Sequence, residues 1–72
     1  MKNEDKVGIT FGLQCTLQQT KLFEDLKKLT YVKDIGGETV IAVFQNGREE
    51  RIDVTADSGI ALISDVIKAL RA

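Results

Sequence analysis

The stretch YVKDIGGETVIAVFQNGREERIDV, residues 31–54, decides the fold of this chain. Strand-like runs rich in β-branched and aromatic residues are separated by Gly36-Gly37 and by Asn46-Gly47. Such dipeptides favour tight hairpin turns, because a type I′ turn needs positive φ at both central residues. The stretch therefore predicts a three-stranded antiparallel meander.

The turns also predict the register of the meander, and the register determines which side chains share a face. Pairing across Asn46-Gly47 places Ile41 opposite Ile52. Pairing across Gly36-Gly37 places Val32 opposite Ile41. The opposite face then carries five apolar residues, which are Tyr31, Ile35, Val40, Ala42 and Phe44.

The segment before the meander predicts a strand and a helix. Apolar residues alternate with small or polar ones over residues 7–13, which is typical of a half-buried strand. Thr16 and Gln19 then have the spacing of a capping box, so a helix is expected to begin there. The apolar face of that helix is expected to consist of Leu22, Phe23, Leu26 and Leu29.

The segment after the meander predicts a second helix. Asp57 is placed to cap it, since an aspartate side chain accepts hydrogen bonds from the free amides of a first helical turn. Its buried stripe is expected to be Ile60, Ile63, Val66, Ile67 and Leu70. The expected order is strand, helix, three-strand meander, helix (βαβββα), a two-layer α+β sandwich with both helices on one sheet face. Residues 1–72 are expected to form one domain, with residues 1–6 as a disordered polar tail.

Composition narrows the classes of function. Ten Lys and Arg nearly balance eleven Asp and Glu, so no long-range field favours nucleic acid or an anionic membrane. Cys15 is the only cysteine and histidine is absent, so the sequence lacks a Cys/His zinc ligand set and the usual histidine base. The longest apolar run, residues 40–44, is far shorter than the roughly 20 residues that cross a membrane. We expect a cytoplasmic protein without catalysis, cofactor, metal or membrane contact.

The face of the meander that the helices leave uncovered is the predicted binding surface. The residues assigned to it are Tyr31, Ile35, Val40, Ala42 and Phe44. Exposed apolar patches of this kind mark association surfaces, unless a helix crosses to cover them. Domains of this size often gain stability by self-association. The sequence thus predicts a non-enzymatic protein-interaction domain, a homodimer through this face, with a foreign protein partner as the other reading. By analogy only, such small domains are common among proteins of phages and other mobile elements.

Two further functions are alternatives to this one. A nucleic-acid accessory protein would use a loose basic group, which consists of Lys21, Lys27, Lys28 and Lys33. Glu24 and Asp25 interrupt this group, so a solvated face is the favoured interpretation. A redox or modification switch would use Cys15, predicted at a helix N-terminus that would activate the thiol. Free cysteines are more often small buried apolar residues.

From Thr16 onward, the order of helix, three-strand meander and helix resembles that of double-stranded RNA-binding domains. The resemblance covers element order only. Members of that family have a lysine-rich start to the final helix, which grips phosphates. Residues 56–59 read ADSG here, and the next basic residue is Lys68. The resemblance therefore does not imply that this chain binds RNA.

Overall fold

The computed structural model describes residues 3–54 and 58–71 and shows helices packed on a three-stranded antiparallel sheet. The elements in chain order are α1 (Asn3–Gln18), a short 3₁₀ turn (Lys21–Phe23), β1 (Leu26–Asp34), β2 (Gly37–Phe44), β3 (Glu49–Val54) and α2 (Gly59–Arg71). The strands lie in the order β1-β2-β3. The α+β class, the meander and the packing of both helices on the sheet are confirmed.

The prediction of a first strand over residues 7–13 is wrong, because these residues belong to α1. The buried face of α1 recurs every three or four residues and consists of Lys6, Thr10, Leu13 and Leu17. Two of these positions are polar, so the helical period does not show in the hydrophobic pattern. Lys6 is also only 6% exposed, which corrects its assignment to a disordered tail.

The helix predicted to begin at Thr16 is also wrong. Thr16 lies near the end of α1, where its hydroxyl donates to the Gly12 carbonyl at 3.0 Å. Leu26 and Leu29 belong to β1, which has a bulge between Leu26 and Lys28. A bulge inserts one extra residue, so two side chains three positions apart can share a strand face. The three-residue spacing of Leu26 and Leu29, which is typical of a helix, is therefore explained by the bulge in β1.

Both hairpin registers differ from the predicted ones. Val32 pairs with Thr39 and not with Ile41, and the register of β3 is shifted by one residue. Ile41 pairs with Arg51, and Val40 pairs with Ile52. Residues 45–47 form a loop closed by a 2.9 Å hydrogen bond from the Phe44 amide to the Arg48 carbonyl, with Gly47 at a φ of 88°. A three-residue loop of this kind ends in a bulged glycine, whereas the predicted Asn-Gly turn has two residues. The extra residue exchanges the two faces of β3.

The register decides which sheet face is covered. Val40, Ala42 and Phe44, predicted to form an exposed interface, face the helices, and Val40 and Ala42 are 0% exposed. Ile35 lies fully exposed in the turn between β1 and β2, and Tyr31 is half-buried. The five residues therefore do not form one exposed patch. The core consists of Leu13, Leu17, Phe23, Leu26, Leu29, Val40, Ala42, Phe44, Ile52, Val54, Leu62 and Val66.

The second helix lies where the sequence predicts it. Ser58 caps it, because its hydroxyl accepts a hydrogen bond from the Ala61 amide at 3.1 Å; the predicted cap, Asp57, lies outside the described residues. Leu62 and Val66 are buried, whereas Ile60, expected in the buried stripe, is 82% exposed. The two helices meet at Gly59, where a Cβ atom would lie 2.9 Å from the Ile9 side chain.

The register predicts that truncation destabilises the protein by very different amounts at two neighbouring residues. Phe44→Ala should lower the free energy of unfolding by about 3–5 kcal/mol, because it empties a filled core position. Val43→Ala, on the outer face, should cost about 1 kcal/mol or less. Urea denaturation of both variants measures the difference. A Val43→Ala variant as unstable as Phe44→Ala would show that the covered face has been assigned wrongly.

Candidate functional site

Two glutamines of α1 hydrogen-bond to the open edge of β1. The Leu29 amide donates to Gln14 Oε1 at 2.8 Å. Gln18 Nε2 donates to the carbonyls of Leu26 and Lys27 at 3.1 and 3.0 Å. An unpaired strand edge is a template for another strand, and side chains that occupy its backbone groups remove that template. The first half of the β1 edge is therefore capped.

The second half of the same edge is not capped in this way. Backbone directions alternate along an antiparallel strand, so Tyr31 and Lys33 point their N–H and C=O groups away from β2, as Leu29 does. Within the described ranges, the hydrogen bonds from α1 side chains to β1 backbone groups end at Leu29. The backbone of residues 31–33 is thus available to a further strand.

An apolar groove runs between α1 and this edge. It has a volume of about 390 Å³ and is lined by Val7, Thr10, Phe11 and Gln14 of α1 and by residues 27–31 of β1. Val7 and Phe11 lie one helical turn apart and are 53% and 61% exposed. Exposed apolar side chains beside a concave surface are typical of binding sites. We call this surface, with the uncapped edge at residues 31–33, the α1–β1 groove.

A partly buried polar cluster includes Tyr31, a residue that lines the α1–β1 groove. The Lys6 ammonium and the Tyr31 hydroxyl both donate to Glu38 Oε1, the latter at 2.6 Å. Lys6 Nζ also lies 5.9 Å from the centre of the Tyr31 ring, within cation–π range. The hydrogen bond to Glu38 raises the pKa of Lys6, and burial together with the bond to Glu38 raises the pKa of Tyr31. The cluster fixes the Tyr31 side chain at the groove.

The predicted basic group is dispersed in the structure. Lys21 lies in the 3₁₀ turn, and Lys27 is the extra residue of the β1 bulge. Lys28 and Lys33 point to opposite faces of the sheet, because side chains alternate along β1 beyond the bulge. All four side chains are exposed, but the fold does not gather them into one track.

Cys15 does not lie at a helix N-terminus as the sequence predicts. It is in the last turns of α1, which ends at Gln18, and it is partly exposed. The physical reason given for a reactive thiol therefore does not hold at this position.

Comparisons with known proteins assign no family to this chain. No family model matches it, and neither the curated proteins nor the solved structures contain a match. Among residues 3–54 and 58–71, no cluster of acidic or cysteine side chains is suited to hold a metal ion, and no helix is long and apolar enough to cross a membrane. The α1–β1 groove is the feature on which the functional proposal rests.

The polar cluster predicts how the protein responds to alkali. Tyr31 is the only tyrosine and tryptophan is absent, so phenolate absorbance reports this residue alone. Its titration midpoint should lie above the ordinary 10.0 in the native protein. Glu38→Gln should lower that midpoint, because the carboxylate that disfavours the phenolate is removed. A native midpoint at or below 10.0 would contradict the cluster.

The same shifts predict how stability depends on pH. Lys6 and Tyr31 both hold their protons more tightly in the folded state than in the unfolded state. Their contribution to the free energy of unfolding is therefore complete below about pH 10 and is lost as the pH rises through the folded pKa values. Urea denaturation at increasing pH measures this loss. An increase in the free energy of unfolding above about pH 10 would contradict the upward direction of the two pKa shifts.

The hydrogen bond between Gln14 and the Leu29 amide predicts how much stability is lost when Gln14 is truncated. Gln14→Ala should destabilise the protein by about 1–3 kcal/mol, because it leaves the partly buried Leu29 amide without its acceptor. Exchange of that amide with solvent should also accelerate. Gln19→Ala is the matched control, since Gln19 is exposed and just follows α1. Equal stabilities of the two variants would show that the cap contributes nothing.

Proposed function

We propose that this chain is a protein-interaction domain that binds an extended polypeptide segment in the α1–β1 groove. The segment adds a strand to β1 at residues 31–33 and places apolar side chains against Val7 and Phe11. In this mode of recognition, main-chain hydrogen bonds supply affinity and side-chain pockets supply specificity. The observation that carries the proposal is the uncapped strand edge beside an apolar groove of about 390 Å³.

The exposure of Phe11 supports this assignment. An aromatic side chain that is 61% exposed at the wall of a groove leaves apolar area in water. Large aromatic residues at concave sites are frequent anchors of protein interfaces. Thr10 and Gln14 add polar groups to the same wall, which is the mixture of apolar lining and few polar groups found in binding sites.

The outer face of the sheet is the weaker candidate. After the correction of the register it carries Thr30, Val32, Ile41 and Val43, with Arg51 and Asp53 at its rim. The four side chains are half-exposed and neighbour one another across the strands. Strands leave no backbone hydrogen-bonding groups on their faces, since these groups point along the sheet. Self-association through this face would therefore lack the directional contacts that the β1 edge offers.

A selection from a displayed library of random peptides tests the proposed function. The wild-type protein should select extended peptides with apolar residues, and Phe11→Asp should weaken their binding by at least about tenfold. Ile60→Asp is the matched control, because Ile60 is an exposed apolar residue of α2 outside the groove. The bound peptides should shift the NMR amide signals of Tyr31 and Lys33.

Two results would overturn the proposed function. One is a set of peptides that bind Phe11→Asp as tightly as the wild type. The other is a set whose binding shifts Ile41 and Val43 on the outer sheet face while Tyr31 and Lys33 stay unchanged. Circular dichroism of Phe11→Asp shows whether the variant is folded, and the exposure of Phe11 predicts that it is.

A further inference from the structure

The uncapped edge of β1 can pair with a second copy of itself. We infer that the extended segment bound in the α1–β1 groove is β1 of another copy of this chain. This inference rests on the proposed function and names its partner. The product is a two-fold symmetric dimer in which the two sheets join into one through antiparallel β1 strands.

The backbone directions of β1 restrict this pairing. Leu29, Tyr31 and Lys33 point their backbone groups away from β2, so they must form the hydrogen-bonded pairs with the second copy. With Tyr31 opposite Tyr31, each Tyr31 amide donates to the Tyr31 carbonyl of the other copy. Each Lys33 amide donates to the Leu29 carbonyl, while the Leu29 amide stays bound to Gln14. Gln14 Oε1 takes the position beside the Leu29 amide that the Lys33 carbonyl of the other copy would otherwise occupy, so the bound glutamine ends the hydrogen-bonded pairing at this point.

The side chains of β1 make this register self-complementary in charge. Antiparallel pairing about Tyr31 places Lys28 opposite Asp34, and the two-fold axis repeats that pair. Both residues lie on the outer face of the sheet and are exposed. Directly opposed unlike charges stabilise antiparallel strands, and like charges destabilise them. Asp34 Oδ1 accepts a hydrogen bond from the Gly36 amide at 2.8 Å, so the carboxylate is held at the strand end.

The neighbouring registers lack this complementarity. Placing Leu29 opposite Tyr31 sets Lys28 opposite Val32, so the ammonium has no carboxylate across the interface. Placing Tyr31 opposite Lys33 sets Asp34 opposite Thr30, so the carboxylate has no cation across the interface. The register centred on Tyr31 is therefore the favoured one.

The apolar wall of the groove lies close to the two-fold axis of this dimer. Lys6 contacts Tyr31 and Gln14 contacts Leu29, so the intervening turns of α1, with Val7 and Phe11, run alongside the centre of the paired strands. The symmetry brings Val7 and Phe11 of both copies to the same region. Self-association of this kind also suits a small domain, because it adds buried apolar area to a limited core.

Charge reversal tests the inference. Light scattering over a concentration series should show a dimer for the wild type. Lys28→Glu should raise the dissociation constant by about tenfold or more, because both symmetry-related pairs become repulsive. The double variant Lys28→Glu with Asp34→Lys should restore dimerisation. Lys21→Glu is the matched control, since it makes the same charge change at an exposed residue of the 3₁₀ turn that does not line the groove.

Three outcomes would overturn the inference. A wild type that stays monomeric at every concentration excludes the dimer, and the peptide selection then shows whether the groove binds foreign segments instead. If Lys28→Glu and Lys21→Glu weaken the dimer equally, the dimer responds to net charge and not to the strand register. A dimer lost in Ile41→Asp but kept in Lys28→Glu is built on the outer sheet face. If selected peptides also leave Tyr31 unshifted, the proposed function fails together with the inference.

Discussion

The hydrogen bond from the Leu29 amide to Gln14 holds α1 along the edge of β1 and divides that edge in two. On one side of it, Gln14 and Gln18 occupy the backbone groups that would otherwise recruit another strand. On the other side, the apolar side chains of Val7 and Phe11 of α1 lie beside the uncapped edge at residues 31–33. The same helix, α1, thus protects one half of the β1 edge and leaves the other half exposed. The positions of Gln14 and Gln18 set the boundary between the two halves.

A polar cluster holds the other end of α1. Lys6 is buried against Glu38 and Tyr31, so the helix is tied to β2 and to β1 near the end of the sheet opposite Gln18. A buried ammonium is stable only when it is paired, and here the carboxylate also accepts the tyrosine hydroxyl. With both ends of α1 fixed, Val7 and Phe11 are held above the groove without being drawn into the core.

Sequence reasoning reached the meander and the second helix, because turn glycines and a regular apolar stripe are local signals. It failed where one extra residue in a strand or loop changes which sheet face the following side chains point to. The loop at residues 45–47 exchanges the faces of β3, and the bulge at Lys27 makes a strand imitate a helix. The first helix was hidden because two of its buried positions, Lys6 and Thr10, are polar. The α1–β1 groove could not be predicted, since it needs residues 7–14 in a helix and residues 27–29 in a strand, and the sequence pattern indicated the reverse. The spacing of Gln14 and Gln18 was its one local signal.

Residue-resolved hydrogen exchange of the β1 amides, followed by NMR at low and high protein concentration, tests most directly whether the uncapped edge is the binding surface. The Leu29 amide should be protected at both concentrations, because its partner is Gln14 of the same chain. The Tyr31 amide should exchange rapidly in dilute solution and slowly in concentrated solution, where a second strand covers it. A Tyr31 amide that is already protected when dilute, or that stays unprotected when the chains associate, would contradict this account.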